Sequence, residues 1–315
     1  VMPTSMPIAT MGAANVRTGG AGNDTYVGGV GDTVVEAASA GTDTIKTDIG
    51  WTLGANVENL VLTGTAAVDG TGNGLANTLT GNSASNTLNG GAGADTLIEG
   101  QGNDTYVVDN VSDKITESAI EGLDTDQSSV TYTLAANVEK LRRTASGATD
   151  GTGNGLETIL SGNSAANRLT GGAGNDTYVI GAGDSIVESV NAGIDSVQSS
   201  VTHTLAANVE NLTLTGTATI NGTGNGLNNI LIGNSAVNTL TGGAGTDTYI
   251  VGAGDTVVEA LNAGTDTVQS AVTWSLGANV ENLVLVGSAA VNGTGNTLAN
   301  VLTGNAGNNA LVGGD

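Results

Sequence analysis

The sequence predicts an all-β protein in which short strands and tight turns wind into coils that stack as a solenoid. Three observations lead to this fold class: a long internal repeat, a nine-residue period inside it, and an unusual composition. Glycine occurs 51 times in 315 residues, phenylalanine is absent, and aromatic residues make up only 2%. Because large aromatic side chains usually dominate a globular core, this core has to be thin and aliphatic.

The long repeat divides the chain into four units. The segment Ala-Asn-Val-Glu-Asn/Lys-Leu occurs four times, beginning at Ala55, Ala136, Ala207 and Ala278. Gly-Thr-Gly-Asn recurs with the same three steps, beginning at Gly70, Gly151, Gly222 and Gly293. The predicted organisation is one continuous solenoid. Its parts are an irregular cap or inter-subunit contact segment at 1–18, repeats at 19–89, 90–170, 171–241 and 242–312, and the start of a fifth unit at 313–315.

A shorter period of nine residues is visible inside each unit. From Gly72 the chain reads GNGLANTLT, GNSASNTLN, GGAGADTLI, EGQGNDTYV and VDNVSDKIT. Strands this short cannot form an independent core, but coils of two strands and two turns can bury their aliphatic side chains against the next coil. Two nonapeptides make one such coil. The third and fourth units, 171–241 and 242–312, are each a single position short of four coils.

The second unit has ten extra residues, which correspond to about one additional nonapeptide beginning at Gly90. Ten residues are close to half of a coil. The insertion therefore predicts that the later units carry their turn motif on the opposite edge of the solenoid.

Charge and composition exclude several classes of function. The chain has 30 acidic and 7 basic residues, a net charge of −23, which excludes nucleic acid as an electrostatic partner and disfavours anionic membranes. No run of apolar residues is long enough to predict a membrane-spanning helix, and residues 1–18 lack the pattern of a signal peptide. Cysteine is absent, which excludes disulfides and cysteine-ligated metals.

The acidic residues recur in register with the repeat. Each unit has three aspartates and a glutamate in a fixed order, followed by the glutamate of Ala-Asn-Val-Glu. We predict that the aspartates bind metal: Asp24, Asp32, Asp43, Asp95, Asp104, Asp113, Asp124, Asp176, Asp184, Asp195, Asp247, Asp255 and Asp266. The predicted turn positions are Gly19, Gly20, Gly22, Gly90, Gly100, Gly102, Gly171, Gly172, Gly174, Gly242, Gly243 and Gly245, together with position 92, which Ala92 occupies.

The spacing of these aspartates favours calcium. Asp24 and Asp43, like Asp95 and Asp113, are separated by about two nonapeptides, which places each pair one coil apart on the same edge. Like charges at strand spacing, about 5 Å, repel unless a cation lies between them. Calcium accepts six or more oxygens with flexible geometry, including the carbonyls that glycine turns point inward. Magnesium demands an octahedron and retains its water.

Asparagine stands at other turn positions, such as Asn77, Asn86 and Asn225. At these turns we expect side-chain hydrogen bonds to the backbone rather than calcium, so that calcium-rich and calcium-poor bands alternate. A second interpretation treats all of the aspartates as solvated turn residues, because Asp and Gly are common in turns. The recurrence of one specific motif argues against it.

The stretch GGAGNDTYV at Gly19–Val27 resembles the calcium-binding nonapeptide GGxGxDxUx of the RTX (hemolysin-type) repeat proteins. Variants begin at Gly90, Gly100, Gly171 and Gly242, and the long unit resembles those of large secreted bacterial RTX proteins. The resemblance covers nearly everything from Gly19 onward. It implies a right-handed parallel β-roll, several calcium ions between successive turns, and type I secretion to the extracellular space or the cell surface.

No arrangement of residues predicts catalysis, so we expect the protein not to be an enzyme. The single histidine, His203, aligns with Trp51, Tyr132 and Trp274 of the other units and so fills a structural aromatic position. With one histidine and no cysteine, neither a Ser-His-Asp nor a Cys-His arrangement can recur. The tyrosines that follow the aspartates are expected to pack inside or to form an exposed ladder: Tyr26, Tyr106, Tyr178 and Tyr249.

These features predict an extracellular, calcium-stabilised structural protein that assembles head to tail with itself into a filament or surface layer. The sequence stops at 313–315, where the motif would begin again, which favours this interpretation. The alternative is the repeat portion of a larger secreted RTX enzyme or adhesin. A weaker alternative is a solenoid that binds ice or a cell-surface polysaccharide, since the strands are rich in threonine but show no uniform exposed threonine ladder.

Overall fold

The computed structural model describes residues 14–98, 100–119 and 121–314. All regular elements in these ranges are short β-strands, and the strand pairs of each sheet are parallel. The chain divides into two compact bodies, Val1–Ala145 and Ser146–Asp315. The predicted all-β class and the stacking of parallel strands into β-solenoid coils are both confirmed.

Among the residues described, there is no helix with the length and apolar character needed to span a membrane.

The first body contains strands β1 to β15, most of which have three or four residues. Their bounds are Val16–Thr18, Thr25–Gly28, Thr33–Val35, Thr44–Thr47, Trp51–Thr52, Asn59–Leu62, Gly70–Thr71, Thr78–Thr80, Thr87–Asn89, Thr96–Ile98, Thr105–Val108, Lys114–Thr116, Thr125–Ser128, Tyr132–Thr133 and Lys140–Arg143.

The second body contains strands β16 to β34. Their bounds are Gly151–Thr152, Ile159–Ser161, Arg168–Thr170, Thr177–Ile180, Ser185–Val187, Ser196–Ser199, His203–Thr204, Asn211–Leu214, Gly222–Thr223, Ile230–Ile232, Thr239–Thr241, Thr248–Val251, Thr256–Val258, Thr267–Ser270, Trp274–Ser275, Asn282–Leu285, Gly293–Thr294, Val301–Thr303 and Leu311–Val312.

Alternate strands of the chain belong to opposite sheets, as expected for coils that each contribute one strand to either side. In the first body, one sheet has the order β12-β10-β8-β6-β4-β2, and the facing strands follow the order β15-β13-β11-β9-β7-β5. In the second body, the odd-numbered strands from β17 to β33 form one sheet, while the even-numbered strands form shorter groups. The core lies between these two sides.

The ten-residue insertion has the predicted effect inside the first body. Strand β2, which carries the Asp-Thr-Tyr motif of the first repeat, pairs with β4 in the even-numbered sheet. Strand β11, which carries the same motif in the second repeat, pairs with β9 and β13 in the facing sheet. The extra half coil therefore moves the motif to the opposite side.

The coils are less uniform than a strict pairing of nonapeptides predicts. In the large sheet, each of the following residues pairs with the next, which lies one coil later: Thr177, Ser196, Asn211, Ile230 and Thr248. The step from Ser196 to Asn211 is the short one, and this coil contains Asn208 of the Ala-Asn-Val-Glu segment. Asn208 has a left-handed φ of 64°, and its side-chain amide donates to the carbonyl oxygen of Glu188 at 3.0 Å. This asparagine therefore closes a tighter turn than the glycine turns do.

Side chains alternate between the core and the surface along each strand. The second and fourth residues of the longer strands are buried, as in Tyr178 and Ile180 of β19. The core is otherwise formed by leucine, valine and isoleucine, as the composition predicts. The sequence left two placements open for the tyrosines, packed inside or exposed as a ladder. They are packed inside, since Tyr106, Tyr178 and Tyr249 are fully buried.

Two charged residues lie in the core of the second repeat, which the sequence analysis did not anticipate. Asp126 in β13 is fully buried, and Arg143 in β15 is 3% exposed. Burial raises the pKa of Asp126 to about 7, although the nearby positive charge of Arg143 lowers it in part. At the equivalents of Asp126, the third and fourth repeats have Val197 and Val268, so this exchange of apolar for charged residues is particular to one repeat.

The outward side of the large sheet in the second body carries no charge. Its two rows of side chains begin at Ile159 and Ser161 and contain only Thr, Ser, Asn, Gln, Ile and Val. In the first body, one outward row of the even-numbered sheet has threonine on four of its first five strands. Asn59 interrupts this row and Lys114 ends it, so the threonine ladder is partial.

Candidate calcium centres

The candidate centres form where two successive turns stack on one edge of the coils. In the first repeat, the turn 19–24 lies against the turn 36–43, and the Gly22 amide donates to the carbonyl oxygen of Ala40 at 2.6 Å. Gly22 has a φ of 131°, which residues with a side chain rarely adopt. The glycine motif therefore shapes a turn close enough to its neighbour for carboxylates from both to meet.

Three carboxylates converge at each of three such positions. One oxygen from each residue lies within 4.8 Å of the others in the groups Asp24/Glu36/Asp43, Asp176/Glu188/Asp195 and Asp247/Glu259/Asp266. Eight of these nine residues are buried, with Asp24 the partly exposed one. The predicted pairing of Asp24 with Asp43 across one coil is thus present, and the same pairing recurs at Asp176 and Asp247.

The glutamates are the site residues that the sequence analysis missed. Glu36, Glu188 and Glu259 are in register with the aspartates, but each follows a strand on the far side of its coil. The length of a whole coil therefore does not predict that they lie beside the aspartates. The sequence nevertheless contains a pattern that could have identified these glutamates, because each follows the first aspartate of its repeat at the same distance along the chain.

The two oxygens of each aspartate have different surroundings. Oδ1 of Asp43, Asp195 and Asp266 accepts the backbone N–H of the aspartate one coil earlier, at 2.8 Å in each case. Oδ2 of these residues, and of Asp176 and Asp247, is buried and has no hydrogen-bond partner. A buried carboxylate oxygen without a partner is costly, so these oxygens are in position for a cation.

The first glycine of the motif supplies the space beside the carboxylates. A methyl group on Gly171 would lie 2.2 Å from Oδ2 of Asp176 and 2.3 Å from Oε1 of Glu188. Gly19 and Gly242 face the equivalent atoms at 2.0 to 2.8 Å. Only glycine leaves this space open, which explains why the motif begins with it.

Each glutamate is also held by a tyrosine from the core. The hydroxyl groups of Tyr26, Tyr178 and Tyr249 donate to Oε1 of Glu36, Glu188 and Glu259, respectively. The tyrosine side chains are 0 to 2% exposed. Each centre is thereby connected to the packed interior through one hydrogen bond.

Burial and mutual repulsion raise the proton affinity of these groups. Burial, followed by the neighbouring carboxylates, raises the pKa of Glu259 to about 7. The pKa values of Asp195 and Asp247 rise to about 6 for the same reasons, although backbone hydrogen bonds oppose the shift. The carboxylates thus lack an internal positive partner, which is the electrostatic condition that a bound cation relieves.

The second repeat has a related but different arrangement. Asp104 and Asp124 stack as in the other repeats, with the Asp104 N–H donating to Oδ1 of Asp124 at 2.8 Å, and Tyr106 donates to Glu117. Burial raises the pKa of Asp104 to about 6, and the negative charges of Asp124 and Glu121 contribute to this shift. Position 99, where the other repeats have the first glycine, is a glutamate.

The additional nonapeptide of this repeat places Asp95 and Asp113 one coil apart, as predicted. The Asp95 N–H donates to Oδ1 of Asp113 at 3.0 Å, and Oδ2 of Asp95 is buried without a hydrogen-bond partner. The left-handed turn residues are Gly91 and Gly93, which flank Ala92. The turn positions 90 and 92 of the prediction are therefore one residue away from the glycines that bend this turn.

Four of the predicted aspartates have both carboxylate oxygens occupied by hydrogen bonds. Asp32, Asp113, Asp184 and Asp255 use both oxygens to accept N–H groups, one from the preceding coil and others from their own turn. For Asp255 the donors are Asn238 at 2.8 Å and Gly252 at 2.7 Å. Asp32 also forms an ion pair with Arg17 at 3.2 Å. Their calcium binding stays a prediction, and their observed contacts are those of turn caps.

The glutamates of Ala-Asn-Val-Glu extend the same ladder. Oε2 of Glu58, Glu139, Glu210 and Glu281 accepts the N–H of the aspartate 15 residues earlier, at 2.8 to 2.9 Å. Asparagine turns use the backbone in the predicted way. The amide of Asn77 donates to the carbonyl oxygens of Val57 and Glu58 at 3.0 and 3.1 Å, and that of Asn225 donates to Ala206 and Val209 at 2.7 Å.

The aromatic position of the third repeat has the surroundings of a packing residue. His203 is half-buried in β22, and this burial lowers its pKa. Its Nε2 atom is buried without a hydrogen-bond partner.

The three-carboxylate centres fit calcium. They offer negatively charged oxygens without hydrogen-bond partners, a glycine that keeps the space free, and stacked turns with carbonyl groups, which are the ligands that calcium prefers. In the first centre, Asp24, Glu36 and Asp43 would hold the ion. The bound ion would supply the positive charge that these buried groups lack.

Comparison with known proteins agrees with this chemistry. A family model of four copies of the RTX calcium-binding nonapeptide repeat matches the chain at residues 18–35, 71–106, 152–187, 223–258 and 294–315. The matched segments include Asp24, Asp176 and Asp247, the first aspartates of the three centres. No curated protein is similar enough to the chain to count as a match. The fold, the carboxylate centres and the family match together show that the chain carries RTX calcium-binding nonapeptide repeats.

Proposed function

We propose that this RTX repeat protein is a calcium-stabilised structural protein that folds when it binds calcium outside the cell. The observation that supports the proposal best is the set of buried, unpartnered carboxylate oxygens at the stacked turns. Without a cation, folding forces these charges together inside a chain of net charge −23. With calcium, the same residues stabilise the stacked coils, because binding free energy becomes folding free energy.

Circular dichroism of the full chain tests this proposal. Calcium added to the chelated protein should produce the strand signal, and EGTA should remove it. Magnesium at equal ionic strength serves as the control and should leave the protein largely unfolded, since magnesium retains its water and demands octahedral geometry. A strand signal that is unchanged in EGTA would contradict the proposal.

The calcium dependence also suggests where the protein works. Extracellular calcium modules typically bind in the range of roughly 0.1–1 mM, which is far above cytoplasmic calcium. A chain with this requirement would stay extended before export and fold after it. This supports a secreted or cell-surface protein exported by type I secretion, as the RTX resemblance implies. Measuring the calcium concentration at half-folding checks the point, and a midpoint below micromolar would contradict it.

The finer structural role that we propose is self-assembly, with copies joined head to tail into a filament or surface layer. Within the part of the chain that the structure describes, β2 and β33 each pair with a strand on one side only, and such edges pair readily with similar strands. The uncharged outer sheet of the second body offers no repulsion to a neighbouring copy. Electron microscopy and light scattering with calcium should show assemblies. Monodisperse monomers at high concentration would contradict this role.

A second function is supported by the nature of the family match, which is to a repeat rather than to a complete protein. The chain would then be the calcium-binding portion of a larger secreted enzyme or adhesin, while itself having no catalytic role. The two functions differ in what calcium does, because a repeat portion folds with calcium but stays monomeric. Binding to a polysaccharide or to ice is less well supported, since the threonine row is interrupted.

A further inference from the structure

The tyrosine that follows the motif aspartate carries a feature that its packing role does not require. Tyr26, Tyr178 and Tyr249 fill the core, but leucine at the equivalent Leu97 is also fully buried there. Packing alone thus does not need a hydroxyl group. In all three centres this hydroxyl donates to Oε1 of the glutamate in the following turn.

The hydroxyl, the glutamate and the first aspartate form one group of atoms. All three border the space that the motif glycine leaves open. A methyl group added to Gly242 would lie 2.0 Å from Oη of Tyr249, 2.2 Å from Oδ2 of Asp247 and 2.4 Å from Oε1 of Glu259. Oδ2 of Asp247 and of Asp266 is buried and without a hydrogen-bond partner. Both aspartates are at most 1% exposed, so the unpaired oxygens point to a ligand at this place.

The glutamate would be the least constrained ligand without this contact. The aspartates are fixed by the backbone ladder, since Oδ1 of Asp266 accepts the Asp247 N–H at 2.8 Å. Glu259 has a longer side chain, and its other oxygen accepts only the N–H of the adjacent Ala260 at 3.2 Å. Ordering such a side chain costs conformational entropy, and the tyrosine hydrogen bond meets that cost before the ion arrives.

We propose that Tyr26, Tyr178 and Tyr249 are positioning residues for a divalent cation, which hold Glu36, Glu188 and Glu259 as its third carboxylate ligands. The proposal rests on the proposed calcium binding and adds to it. Each tyrosine enters the core from the strand that follows the motif turn, so the glutamate reaches its place only when that coil is packed. The ion thus binds to a closed coil rather than to a preformed loop.

The nonapeptide at Gly90 gives an internal comparison. It has Leu97 in place of tyrosine, and Val107 stands where the spacing of the other repeats would put the glutamate after Asp95. The tyrosine hydroxyl and the glutamate are therefore absent together at this turn, as expected if the hydroxyl positions the glutamate.

The test replaces the three hydroxyl groups while keeping the rings. The variant Y26F/Y178F/Y249F should need about tenfold more calcium for half-folding, because a hydrogen bond to a charged group is lost at each centre. At saturating calcium its circular dichroism should match that of the wild type. The control is Tyr132→Phe, since the Tyr132 hydroxyl donates to the Asp113 carbonyl oxygen at 3.2 Å and not to a three-carboxylate centre. Its midpoint should stay within twofold.

A double-variant cycle separates positioning from packing. The variant E36A/E188A/E259A, which removes both the acceptor and the ligand, should also raise the midpoint, and adding the three phenylalanines to it should change it by less than twofold, because the tyrosines act through the glutamates. A full tenfold shift in that background would overturn the proposal, as would an unchanged midpoint in Y26F/Y178F/Y249F.

The single variant Tyr249→Phe covers the case in which the triple variant does not fold. It should retain the fold and lose one ion from the tightest class in a calorimetric titration, whereas an unchanged ion count would overturn the proposal. A wild type that does not respond to calcium would instead refute the proposed function. A wild type that responds while Tyr249→Phe and Tyr132→Phe behave alike refutes only the role of the tyrosines.

Discussion

At the scale of single residues, aspartates that recur with the same period differ in the surroundings of their second carboxylate oxygen. In Asp266 one oxygen accepts a backbone N–H and the other has no hydrogen-bond partner. In Asp255 both oxygens accept N–H groups. The two residues belong to the same repeat and recur with the same period in the sequence, yet only the first has a buried oxygen without a hydrogen-bond partner.

Exchange of aspartate for asparagine should distinguish the two roles. Asp266→Asn keeps a ladder oxygen but removes the charge, so we expect one fewer calcium ion and a chelated protein that is no less stable. Asp255→Asn should leave the ion count unchanged and lower the free energy of unfolding by about 1–2 kcal/mol, because a charge-assisted hydrogen bond is weakened. Calorimetric titration and urea unfolding measure both effects. Equal ion counts in the two variants would contradict the assignment.

Substitution by alanine should have very different effects at different glycines. In Gly171→Ala the new methyl group would overlap Asp176 and Glu188, at 2.2 and 2.3 Å, so calcium binding at that centre should be lost. Gly226→Ala in the same body is a matched control, since nothing lies within 4 Å of its added carbon. It should leave the calcium midpoint unchanged. If both variants bind calcium as the wild type does, Gly171 does not border the site.

At the scale of elements, the short coil of each repeat depends on one asparagine conformation. Asn56, Asn137, Asn208 and Asn279 have φ values between 62° and 66°, and the amide of each donates to the carbonyl oxygen of a glutamate, at 2.9 to 3.0 Å. Asparagine tolerates the left-handed region better than most residues. In the short coil, one asparagine therefore has to adopt a left-handed φ and also donate a hydrogen bond from its side chain.

Substitution of Asn208 should separate these requirements. Asn208→Gly retains easy access to a positive φ but loses the hydrogen bond, whereas Asn208→Ala loses both. We expect the alanine variant to be about 1–2 kcal/mol less stable than the glycine variant. Thermal or urea unfolding in saturating calcium measures the difference. A glycine variant as unstable as the alanine variant would show that the backbone conformation is not limiting.

Much of the element scale was predictable from the sequence, and the reasons are local. The nine-residue period determines where strands alternate with turns, and each buried leucine or tyrosine falls two places after the turn residue. The short coil was not predictable, because an asparagine turn and a glycine turn have similar sequence signals but different lengths. The roles of Glu36, Glu188 and Glu259 also escaped prediction, since the geometry of the coil rather than the spacing brings them to the aspartates.

At the scale of the whole molecule, charge is distributed by position in the coil. Most acidic residues lie in the turns between strands, while the outward rows of the large sheet in the second body carry none. Raised pKa values at the turns connect the fold to protons as well as to calcium. Two kinds of cation can therefore relieve the same repulsion.

The calcium-free protein should gain structure when it is acidified. Asp104, Asp195 and Asp247 have folded pKa values of about 6, above the value of about 3.9 for an exposed aspartate. The folded state therefore binds more protons between about pH 4 and 6, so stability falls as the pH rises through that window. Circular dichroism in EGTA should show more strand at pH 5 than at pH 7.5. Equal signals at both values would contradict the raised pKa values.

Stabilisation of the chelated protein by acid has a lower pH limit. Asp32 has a lowered pKa because it accepts N–H groups from Asn15 and Gly29 and faces Arg17. Its contribution has the opposite sign and is lost when the pH falls through its lowered pKa. We expect the chelated protein to be most structured near pH 4–5. A structure content that continues to rise below pH 3 would contradict this balance.

The carboxylate ladder makes the stack depend on its later residues. Along this ladder a carboxylate accepts the N–H of an earlier residue, as Asp43 does from Asp24, and Glu58 does from Asp43. Each turn is therefore held in place by hydrogen bonds from its backbone to carboxylates of the coil that follows it. A substitution that removes a carboxylate at one turn should destabilise the segment before that turn and leave the segment after it unchanged. Fraying in this protein consequently has a direction, which hydrogen exchange around a single aspartate variant would reveal.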